Sequence, residues 1–115
     1  MIGVIVGIMP GAGGNIATFV AYNETKRFSK KPEEFGTGVM EGIMAPEVCN
    51  NAVVGGAQIP MLTLGIPGSA PAAVMLGALM THGLKPGFDL FSEQGDIVFT
   101  YTFGLILSNF IILLL

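Results

Sequence analysis

The chain has 115 residues, of which 51% are hydrophobic and 11% charged, with a net charge of −3; soluble domains carry about 25% charged residues. Five Lys and Arg cannot build a cationic footprint for nucleic acid, and a single cysteine excludes an internal disulfide framework or a multi-cysteine metal site. A mean hydropathy of +0.70, with 17 Gly and 7 Pro to break regular structure, points to an integral membrane protein with interrupted hydrophobic segments.

Residues 1–22 are apolar from the outset and lack the basic region of a signal peptide. Their hydrophobic run breaks at Gly7-Ile8-Met9-Pro10-Gly11-Ala12-Gly13-Gly14-Asn15 and resumes as a helical pattern over residues 16–22. Residues 23–35 hold Lys26, Arg27, Lys30 and Lys31, four of the five basic residues. The positive-inside rule therefore places this loop on the cytoplasmic side. Residues 36–51 mix Val39, Met40, Ile43 and Met44 with Glu41 and Glu47, the pattern of an amphipathic interfacial segment. Within it, Ala45-Pro46-Glu47 suits the opening of a new helix.

Residues 52–83 form a second broken segment, interrupted by Gly55-Gly56, by Pro60 and then by Gly65-Ile66-Pro67-Gly68-Ser69-Ala70-Pro71. Residues 84–96 are a polar connection. Residues 97–115 are an apolar stretch of near-spanning length that is still hydrophobic at its end, which predicts a piece of a longer protein. A span needs roughly 20 apolar residues. The expected fold class is thus all-α integral membrane, with broken or re-entrant helices at Pro-Gly loops and at least one full transmembrane span.

The two Pro-Gly breaks share one physical logic. Pro removes a backbone donor and bends the chain, and Gly permits positive φ and close approach of a ligand. The helix that follows exposes N–H groups and a partial positive charge at its start. Ser69 suits an N-cap and Pro71 the first turn. Each break can hold a carboxylate without burying a basic side chain; the competing reading is that the glycines only let helices pack closely. Neither break completes a nucleotide loop. Asn50 and Asn51 are adjacent amides that can donate to a carboxylate or, together with Thr63, offer oxygens to Na⁺. No Ser-His-acid, Cys-His or zinc-spaced cluster suggests an enzyme, and no cofactor is expected beyond a coupling ion, Na⁺ or H⁺.

A resemblance rests on these blocks in order: Gly7-Ile8-Met9-Pro10-Gly11-Ala12-Gly13, Ala21-Tyr22, Lys26-Arg27, Ala45-Pro46-Glu47, Asn50-Asn51-Ala52, Leu64-Gly65-Ile66-Pro67-Gly68 and His82-Gly83-Leu84-x-Pro86-Gly87. The chain is similar to the large membrane subunit of the bacterial tripartite tricarboxylate transporters. That resemblance implies a part of the second half of an inverted-repeat, multi-pass permease of the inner membrane. It implies, as partners, a small membrane subunit, a periplasmic substrate-binding protein, membrane lipid and the remainder of the permease. It further implies import of citrate or related di- and tricarboxylates, driven by an ion gradient. Carried onto this sequence, the cradle for substrate and ion is Gly11, Ala12, Gly13, Gly14 and Asn15, with Asn50 and Asn51, and Gly65, Pro67, Gly68 and Ser69. The alternative is a structural or assembly subunit whose breaks serve packing alone.

Overall fold

The computed structural model describes residues 1–115, and every regular element in it is helical. Helix α1 (Ile2–Ile8) is followed by α2 (Gly13–Phe28), a short 3₁₀ turn (Pro32–Glu34), and the long α3 (Met40–Leu64). Then come α4 (Ala70–Thr81), the short α5 (Phe88–Glu93) and α6 (Gly95–Leu114). The first Pro-Gly break is the link between α1 and α2. Its Gly11 (φ 76°) and Gly13 (φ 62°) take left-handed conformations that L side chains rarely adopt.

Helix α3 runs across the boundary expected near residue 51, carrying both Pro46 and Pro60 inside it. Each proline withholds a backbone donor, at a penalty of about 3 kcal/mol in an isolated helix. Burial offsets this, because α1 and α2 both pack along α3. Ala17, Ala21, Cys49 and Val53 form one small core there, with Val6 against it. The backbones of α1 and α3 nearly touch. A Cβ on Gly7 would lie 2.7 Å from the Val53 carbonyl oxygen and one on Gly56 2.6 Å from that of Val4, while Gly3 faces the Cys49 carbonyl. Small residues make this crossing possible.

Helix α3 ends where Gly65 turns left-handed (φ 68°) and donates to Met61 O at 3.1 Å, with Ile66 N–H reaching Pro60 O at 3.2 Å. The bond from the left-handed Gly65 to Met61 is that of an αL stop. After it, Ser69 caps α4 by accepting from the Ala72 N–H at 3.3 Å, with Pro71 in the first turn. A second core joins α3, α4 and α5 through Ala57, Met61, Leu62, Ala72 and Leu90. The connection after α4 is tied back where Gly87 N–H donates to Leu62 O at 2.9 Å.

Helix α6 differs from the rest. It is long and apolar enough to cross a membrane, and none of its residues is fully buried, although Val98 and Tyr101 rest against the second core. Its polar tether is Tyr101, whose hydroxyl donates to Gln58 Oε1 at 2.8 Å. The Cα radius of gyration is 16.5 Å, whereas a compact domain of this length has about 13 Å. Only 16 residues are buried. The exposed surface includes Phe99, Phe103, Phe110 and Ile112, as expected where lipid or further protein replaces water as the neighbour.

Candidate functional site

The two breaks meet. Their link residues and helix starts line a single recess of ≈ 600 Å³. From the first break it takes Gly11, Ala12, Gly13, Gly14 and Asn15; from the second, Pro67, Ser69, Ala70, Pro71 and Ala73; from the middle of α3, Asn50. No charged side chain lines it. The start of α2 has Ala12 at its N-cap and no side-chain acceptor, so its first N–H groups are available to a partner in the recess. The start of α4 is capped internally by Ser69. Asn50 sits over the first of these starts: a Cβ on Gly14 would come within 2.6 Å of its Oδ1. Polar donors and a weak positive potential, in a recess without Lys or Arg, can hold a carboxylate or phosphate oxygen.

Eight of the eleven residues expected at the cradle line this recess: Gly11, Ala12, Gly13, Gly14, Asn15, Asn50, Pro67 and Ser69. The other three stand elsewhere. Asn51 is exposed on another face of α3, because successive helical residues point about 100° apart. Gly65 is the stop of α3. Gly68 is buried against α1 and α3; a Cβ there would lie 2.5 Å from Gly7 O and 3.2 Å from Ala57 Cα. Its smallness serves packing.

The arrangement expected for Na⁺ is not assembled. Thr63 lies thirteen positions beyond Asn50 on the same helix, about 20 Å along its axis, so one ion cannot touch both. The Thr63 hydroxyl instead donates to Ile59 O at 2.6 Å.

Two features lie outside the expected cradle. Ala70, Pro71 and Ala73 line the recess, and only their place in the first turn of α4 marks them. Gln58, 7% exposed, forms a polar knot with Tyr101 and with Met75, whose sulfur lies 3.8 Å from Nε2. A glutamine between Ala57 and Ile59 in an apolar run was the available signal.

The profile of the family described as "Tripartite tricarboxylate transporter TctA family" matches residues 1–115. Among curated proteins, the chain is 37% identical over its whole length to an "Uncharacterized 52.8 kDa protein in TAR-I ttuC' 3'region" of Agrobacterium vitis. It is 36% identical over 98% of its length to an "Uncharacterized protein in TAR-II ttuC' 3'region" of the same organism. The chain spans 23% of the first relative and 47% of the second. No solved structure matches it.

Proposed function

The chain belongs to the tripartite tricarboxylate transporter TctA family, a family of membrane transport components rather than enzymes, and from that premise we propose that its recess is part of a carboxylate-translocation site. The observation that carries the reading is the convergence of both Pro-Gly breaks and Asn50 on one uncharged recess. In this reading the first N–H groups of α2 and the Asn50 amide hold carboxylate oxygens of citrate or a related di- or tricarboxylate. The left-handed glycines keep the approach free of side chains.

The same proposal places the protein as a multi-pass component of the bacterial inner membrane, with residues 23–35 cytoplasmic. There it works with a small membrane subunit and a periplasmic binding protein, and a Na⁺ or H⁺ gradient drives uptake. The larger permease supplies an inverted partner repeat, and the two breaks act as re-entrant elements at membrane depth.

The packing alternative has specific support at Gly3, Gly7, Gly56 and Gly68, where an added Cβ would meet another helix. It has none at Gly11 and Gly13, whose neighbourhoods are open. Packing glycines and recess glycines are therefore distinct sets.

Adjacent amides provide the test. Asn50→Ala in the intact reading frame is expected to raise KM for citrate uptake about tenfold, the size of one good hydrogen bond to a charged group, with membrane expression unchanged. Asn51→Ala is expected to leave uptake as it was. Wild-type KM in Asn50→Ala, or equal losses in both variants, would remove the recess from the transport path.

A further inference from the structure

On the side of the bundle where the basic loop joins the helices, an apolar slot of ≈ 540 Å³ runs between α1, α2 and the first half of α3. Ile2, Ala21, Met44, Ala45 and Val48 are among its walls. It opens into a polar mouth, with which it shares Ile2, Thr25 and Glu41, and which adds Glu24, Lys30 and Lys31.

Depth and volume bear on what would fit. The walls on α3 run from Glu41 to Ala52, about 16 Å of helix, or one leaflet of a hydrocarbon core about 30 Å thick. An apolar cavity of about 150 Å³ takes one benzene, so the slot takes a chain of about twenty carbons on the same scale. One acyl chain matches the slot in both respects.

The mouth says which head group belongs to that chain. It presents two cations and two anions, so its formal charge is zero. Glu24 is drawn toward Arg27 at 3.9 Å and Lys31 toward Glu34 at 2.9 Å, both at exposed positions. Glu41 accepts the Ser29 hydroxyl at 2.6 Å, which leaves its carboxylate further acceptor capacity. An anionic head group would gain from the lysines and lose to the glutamates. A zwitterion with a primary ammonium satisfies both.

We propose that this slot is a binding site for a phospholipid of the phosphatidylethanolamine type, with one acyl chain between α1, α2 and α3, the phosphate at Lys30 and Lys31 and the ammonium at Glu41. The site rests on the membrane setting of the family and is independent of the carboxylate recess, so either can fail without the other.

The test uses the full-length protein in detergent, titrated separately with dioleoyl phosphatidylethanolamine, phosphatidylcholine and phosphatidylglycerol. Native mass spectrometry counts bound lipid and a thermal melt reads stabilisation. Phosphatidylethanolamine is expected to bind about tenfold more tightly than phosphatidylcholine, whose quaternary head has no N–H to donate, and more tightly than phosphatidylglycerol. Glu41→Gln removes that preference. Lys30→Gln with Lys31→Gln weakens all three lipids, and Ala45→Phe, which fills the slot, removes binding whatever the head group. Tightest binding of phosphatidylglycerol would overturn the proposal, as would an unchanged lipid count in Ala45→Phe. So would a melt that shifts in the slot variants with no dependence on added lipid, the result expected if a protein segment fills the groove.

Discussion

At the level of single residues, the same amino acid does two jobs a few positions apart. Gly68 is a contact and Gly11 is a conformation. Gly68→Ala is expected to lower stability by about 1–3 kcal/mol, the usual range for overpacking, because its Cβ would press on Gly7 O and Ala57 Cα. A lower thermal midpoint in detergent, whether or not citrate is present, checks it. Ser69→Ala is expected to cost about 1 kcal/mol through loss of the α4 cap, read from the same melt. The role of Ser69 was legible in the sequence, since a cap needs only local spacing. The role of Gly68 was not, because Pro-Gly followed by a helix reads the same whether the glycine faces a ligand or the backbone of α1. Asn50 and Asn51 were equally indistinct until a continuous α3 gave each a direction.

Among the elements, α3 shows where local rules lose. Pro46 and Pro60 argue for helix ends, and a reading by propensity divides the segment there or at Gly55-Gly56. The helix continues because its small residues receive α1 and α2 along their length, and tertiary burial outweighs two missing backbone bonds. Such contacts are long-range and leave no trace in a local window. Helix α6 presents the opposite case, with its apolar length plain in composition but its attachment hidden in Gln58 and Tyr101. Tyr101→Phe removes the hydroxyl that donates to Gln58 Oε1 and leaves a buried amide oxygen unpaired. The expected loss is about 1–3 kcal/mol, with helix content by circular dichroism unchanged and the thermal midpoint lowered. An unchanged midpoint would mean that α6 is held by apolar contact alone.

For the molecule as a whole, charge and apolar surface set the frame. Four of the five basic residues lie in the last turn of α2 and the loop that follows it, and the long apolar face of α6 is bare. If residues 23–35 face the cytoplasm, a cysteine at Lys30 should react with a membrane-impermeant maleimide only in inverted vesicles. Labelling from the outside of intact spheroplasts would reverse the orientation. The membrane character and the helical class followed from composition; the meeting of the two breaks in one recess did not, because it depends on how α1 and α4 are set against α3.

The recess between those helices is built from dipoles and amides, with no side chain that carries a full charge. A pocket of that kind attracts an anion without neutralising it. If a carboxylate passes through the recess as proposed, the electrical work on it falls to whatever cations travel with it, at about 2.3 kcal/mol per charge per 100 mV. The number of companion cations, rather than any titrating residue in these walls, would then fix the sign and size of the transport current. A citrate trianion accompanied by three cations would move silently across the voltage, and each additional one would make uptake respond to it.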